Sequence, residues 1–81
     1  MKSINNVLLQ EIFEASGYTS IELAAHIGIS RNTVHNTMYG VTSPSYYVTT
    51  SLAMALELSD QEIIAIFFPK AQLQDLQKEA Q

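Results

Sequence analysis

Two four-residue runs, Thr19-Ser-Ile-Glu22 and Ser59-Asp-Gln-Glu62, each set a hydroxyl three positions ahead of a glutamate. That is the spacing of a capping box. The hydroxyl accepts from the backbone N–H three residues on, and the glutamate reaches back to the first free N–H. Apolar residues at helical spacing follow each run, so each marks a helix start. Gly17, Gly28 and Gly40 stand just past other periodic segments, where a left-handed residue closes a helix. Starts and stops this close together leave room only for short helices.

The periodicity fills the intervals. Ile4, Val7, Leu8 and Ile12, with Leu9 and Phe13 on adjacent rows, predict a first helix from Ile4 to Ala15. Ile21, Leu23, Ala24 and Ile27 predict a second, ending at the Gly28 turn. Ser30 is placed to cap a third, from Arg31 to about Tyr39, with Val34 and Met38 one turn apart. Gly40-Val-Thr-Ser-Pro-Ser45 reads as a loop. A fourth helix from Tyr46 or Tyr47 to Leu56 carries Leu52, Ala53, Ala55 and Leu56. A fifth runs from the second capping box to Phe67 or Phe68, where Pro69 stops it. The expected fold is all-α, with five helices in one domain over residues 1–69 and a polar tail over 70–81 that Leu73 and Leu76 make capable of helix.

Composition narrows the function classes. At 47% apolar residues in 81 the chain has the material for one modest core. It contains no cysteine, which removes disulfides, thiol catalysis and cysteine zinc sites together. Its longest apolar runs are too short to span a bilayer, and Met1 to Glu11 has no apolar stretch of signal length. A cytoplasmic protein is therefore expected. Two isolated histidines, His26 and His35, do not make a metal site, and no serine has a base or oxyanion partner at readable spacing. Neither an enzyme nor a cofactor is expected.

The net charge of −4 argues against a nonspecific polyanion binder, because lysine and arginine contacts to phosphate dominate such affinity. Placement matters more than the sum. The 34 residues from Leu23 to Leu56 contain no acid, and they hold the chain's only arginine, Arg31.

Two short helices joined by a glycine-containing turn follow the helix-turn-helix plan. In that plan the third helix points its N-terminal residues into the DNA major groove. Here these are Arg31 and Asn32 and, one turn on, His35 and Asn36. Arginine grips guanine O6 and N7 with two bonds, and asparagine pairs with adenine N6 and N7. Ser30 and Thr33 stand ready for phosphate or thymine-methyl contacts.

The run Tyr18-Thr-Ser-Ile-Glu-Leu-Ala-Ala-His-Ile-Gly-Ile-Ser-Arg-Asn-Thr-Val-His-Asn-Thr-Met-Tyr-Gly40, continued by Ser51-Leu-Ala-Met-Ala-Leu-Glu-Leu-Ser59, resembles the lambda-repressor and Cro-type helix-turn-helix family. The resemblance implies a small phage or plasmid regulator that binds a palindromic double-stranded DNA operator as a homodimer. It matches Ser20 to a phosphate-contacting position and Arg31, Asn32 and Asn36 to base-reading positions. It matches the loop after Gly40 to a backbone clamp, which here offers Thr42, Ser43, Ser45, Tyr46 and Tyr47.

Three departures from the family pattern stand out. The clamp loop carries hydroxyls where relatives carry lysine and arginine, so counterion release is smaller. Phe13 and Met38 occupy the positions of a common arginine–glutamate pair, which predicts an apolar contact in its place. Thr37 stands where relatives place a large apolar residue. The tyrosines Tyr39, Tyr46 and Tyr47 are expected to pack on the core with their hydroxyls at the surface. Ile63, Ile64, Ile66, Phe67 and Phe68 are too apolar for one core face, so a second subunit is expected to cover Ile63, Ile66, Phe67 and Phe68 together with Leu73. The rival reading is a protein-binding modulator, an antirepressor that engages another repressor through the acidic ends and the fifth helix.

Overall fold

The computed structural model describes residues 4–70; the tail from residue 71, including Leu73, lies outside them. The described residues form five helices and no strand: α1 (Asn6–Ser16), α2 (Ser20–Ile27), α3 (Arg31–Met38), α4 (Tyr46–Ala55) and α5 (Asp60–Phe67). Every one begins on a side-chain cap. The Asn5 carboxamide oxygen accepts from the Leu8 N–H, and Thr19, Ser30, Ser45 and Ser59 accept in the same way from the third residue on. Each cap satisfies one otherwise orphaned donor and contributes about 1 kcal/mol. Both capping boxes close, with Glu22 Oε1 2.9 Å from the Thr19 nitrogen and Glu62 Oε1 2.8 Å from that of Ser59.

Stops are as local as starts. Gly17, Gly28 and Gly40 take φ of 84°, 76° and 71° at the ends of α1, α2 and α3. After α4 the same role falls to Glu57, the one described non-glycine residue with positive φ. α5 ends on Phe68 at φ −135°, because the residue before a proline is held out of the helical region. Pro69 and Lys70 then re-enter helical geometry, proline being well suited to a first helical position.

Each helix sends one side chain of zero exposure into a common core: Leu9, Leu23, Val34, Leu52 and Ile66. Burying such a side chain stabilises the fold by roughly 1.5–3 kcal/mol. α2 packs most extensively on α3, α1 also packs on α3, and α4 and α5 lie against α2 and α1 respectively. Two polar ties set the register. The Asn5 N–H donates to the Ile66 carbonyl at 2.7 Å, and the Gln10 side-chain amide donates to the Met38 carbonyl at 2.8 Å.

Several expected placements change. Val7 and Ile21, counted with the apolar faces of the first two helices, are 62% and 61% exposed. Leu23, Ala24 and Ile27 define the buried side of α2, and at 3.6 residues per turn Ile21 points about 115° away from it. Ile66 and Phe67 belong to the chain's own core, so a second subunit has no access to them. Ile63 is half-buried against that core, which leaves Ile64 and Phe68 as the exposed apolar residues of this segment. Tyr39, Tyr46 and Tyr47 are exposed rather than packed. Phe13 and Met38 do join one apolar cluster, with Met38 fully inside and Phe13 at its edge. Thr37 is buried beside Met38, and no fully buried side-chain nitrogen or oxygen among the described residues lacks a hydrogen-bond partner.

Candidate functional site

The turn between α2 and α3 is three residues, Gly28, Ile29 and Ser30, each with a separate task. Gly28 bends the chain at positive φ, which a side chain would strain wherever there was room for it. Its N–H and that of Ile29 both donate to the Ala24 carbonyl, at 2.9 and 3.1 Å, and close the end of α2. Ile29 packs against the core. Ser30 caps α3. From α4, the Tyr47 hydroxyl donates to the Ile27 carbonyl at 2.5 Å, so a third helix pins the same turn.

This arrangement aims α3. Val34, Thr37 and Met38 are buried, and Arg31, Asn32 and His35 are presented to solvent. Those three share an open groove of about 710 Å³ with Thr19, Ser20 and Ile21 from the start of α2. Among the described residues, no acid lines it. The groove therefore gathers one guanidinium, one carboxamide, one imidazole and two hydroxyls around a single exposed isoleucine. Such a surface offers both donors and acceptors at fixed spacing, on two helices whose backbones are locked together.

Of the residues expected to read bases, the groove brings together Arg31, Asn32 and His35. Asn36 is half-buried outside it, and its carbonyl accepts the Val41 N–H at 2.9 Å as α3 ends. The His35 ring lies against Tyr39, with centroids 4.7 Å apart, which limits the directions it can take. Of the residues expected to hold phosphate, Ser20 is in the groove. Ser30 and Thr33 are occupied with one another, their hydroxyl oxygens 2.9 Å apart, so the pair keeps one free hydroxyl hydrogen. Ser45 accepts from the Val48 N–H at 3.2 Å and keeps its own hydrogen to donate. Thr42 and Ser43 are exposed on the stretch leading into α4, and Tyr46, its first residue, is 85% exposed.

Two contributors were not anticipated as site residues, and a third, Tyr47, was expected in the clamp loop and serves elsewhere. Thr19 and Ile21 line the groove, and Tyr47 holds its frame. For Ile21 the signal was present, since its angular position already separates it from Leu23, Ala24 and Ile27. For Tyr47 there was none, because a partner twenty positions away leaves no local pattern.

The Glu22 carboxylate accepts from the N–H of Thr19, a groove residue, and it is the acid nearest in sequence to the groove residues of α2. Among the described residues, no group of three or more histidine and acidic side chains is placed to hold a metal. No helix among them is long and apolar enough to cross a membrane. Compared with known proteins, the chain matches no family model, no curated protein and no solved structure.

Proposed function

We propose that this chain is a sequence-specific, double-stranded-DNA-binding regulator of the lambda-repressor and Cro type, in which α2, its three-residue turn and α3 act as a helix-turn-helix. One observation carries the reading. Arg31, Asn32 and His35, on the exposed side of α3, share an acid-free groove with the start of α2. α3 then enters the major groove, where Arg31 takes guanine and Asn32 takes adenine. Asn36 and His35 meet bases or phosphates at the next turn. Ser20, Thr42, Ser43, Ser45 and Tyr46 bond the backbone through hydroxyls, which position the protein and carry no sequence information.

In this reading two copies place their α3 helices about 34 Å apart on a palindrome. Ile64 and Phe68 are the exposed apolar residues available to a dimer seam on α5 and its end, continuous with the tail that carries Leu73. Selection from a random duplex pool at low salt is the test. The reading expects an enriched palindrome, and sedimentation on that duplex gives two chains per site.

A second reading is favoured by a different observation. Tyr46 and Met54 are 85% and 79% exposed, and large exposed aromatic and thioether groups suit protein interfaces. In that case the chain is a protein-binding modulator that engages another repressor. An unenriched duplex pool together with a defined complex between this chain and a repressor decides for it.

A further inference from the structure

We propose that Ile21 is a specificity-determining residue that reads the C5 methyl group of thymine. The inference rests on the DNA-binding reading and deepens it. Five of the six residues that line the groove are polar, and the sixth is Ile21, an apolar side chain left 61% exposed on a chain that buries one leucine or other aliphatic from every helix. Its position in α2 turns it away from Leu23, Ala24 and Ile27 and toward the groove that Arg31, Asn32 and His35 enter from α3.

The partner follows from chemistry. The major-groove edges of the four base pairs present donors and acceptors almost throughout, and their one apolar feature is the thymine methyl. Arg31 and Asn32 match the donors and acceptors. Ile21 matches the methyl with more apolar surface than the single γ-methyl of Thr19, the other groove residue that carries one. Glu22, the next residue, has its carboxylate engaged by the Thr19 N–H, so the apolar contact is not crowded by a free acid.

Burying one carbon of this size contributes about 0.8 kcal/mol, which at 1.4 kcal/mol per tenfold is about a fourfold change in affinity. The experiment takes the duplex enriched from the random pool and replaces its thymines by deoxyuridine one at a time, which removes the methyl and keeps every hydrogen bond. The unaltered protein loses about fourfold at one position in each half-site. Ile21→Ala binds the thymine and deoxyuridine duplexes equally, and Ile21→Val keeps most of the difference. Val7→Ala, an equally exposed site outside the groove, leaves the fourfold loss intact. Ile21 lies outside the core, so circular dichroism of Ile21→Ala matches that of the unaltered protein.

Tolerance of deoxyuridine at every position by the unaltered protein overturns the assignment and leaves the DNA reading standing. So does a penalty that persists undiminished in Ile21→Ala, which gives the methyl to another residue. A pool that enriches no duplex overturns the DNA reading and this assignment together.

Discussion

The Tyr47 hydroxyl donates a hydrogen bond to the Ile27 carbonyl, and through it α4 holds the turn that aims α3. The bond lies where α2 ends and Gly28 bends away, and a β-carbon added at Gly28 would stand 3.4 Å from the phenol oxygen. Tyr47→Phe removes the donor and leaves the carbonyl to water. The expected cost is about 1 kcal/mol of stability, the net contribution of one such bond. The α2–α3 turn then loosens, so amide hydrogen exchange at Gly28 and Ile29 speeds by more than it does at Leu9. Equal acceleration at all three sites would mean that Tyr47 does no more than any other surface contact.

Glu57 takes φ 53° after α4, and its N–H and that of Leu58 donate back to the Met54 and Ala53 carbonyls. This is the Schellman pattern, in which glycine is the favoured residue at the left-handed position. A side chain there costs roughly 1–2 kcal/mol, which the greater unfolded-state freedom of glycine partly offsets. Glu57→Gly is expected to stabilise the chain by about 1 kcal/mol, read as a rise in Tm of roughly 4–8 °C for a domain of this size. A lower Tm would show that the glutamate makes a compensating contact.

Glu22 closes its capping box beside the groove. Glutamine serves the box as well as glutamate does, so Glu22→Gln keeps the cap and removes a negative charge from a surface proposed to meet phosphate. Operator affinity is expected to rise by a few-fold, the scale of one screened surface charge at about 0.2–1 kcal/mol, with Tm little changed. Unchanged affinity would place the phosphates away from the start of α2.

Salt dependence tests the grip on DNA that the proposed function requires. Hydroxyl contacts release no counterions, and each neutralised phosphate contributes a slope of about −0.9 in log affinity against log salt. With Arg31, the only Lys or Arg in the acid-free stretch, assigned to a base, a dimer is expected to show a slope no steeper than about −2, the value reached if both copies of Arg31 also neutralise a phosphate. A slope of about −6 or steeper would mean that lysines outside this stretch carry the grip.

Much of the fold was legible because it is encoded locally. Thr19, Ser30 and Ser59 name the helix starts, and Gly17, Gly28 and Gly40 name three of the stops, each through bonds that span only a few residues. The face of α5 was not legible. With Ile63, Ile64, Ile66, Phe67 and Phe68 crowded together, the periodic signal is saturated, and only packing decides that Ile66 and Phe67 go in while Phe68 stays out. Glu57 hid a stop because nothing in its side chain favours positive φ. The groove was half legible. Arg31, Asn32 and His35 followed from the pattern of α3, whereas Tyr47, twenty positions from its partner, needed the three-dimensional fold.

The central claim is that Arg31 reads a base, and one comparison tests it directly. The affinity of the unaltered protein and of Arg31→Ala is measured for the enriched duplex and for duplexes with single base-pair substitutions through the half-site. The unaltered protein is expected to reject one guanine substitution by about 1–3 kcal/mol, and Arg31→Ala is expected to bind all duplexes more weakly and to lose discrimination at that position alone. Discrimination that survives Arg31→Ala unchanged at every position would contradict the account.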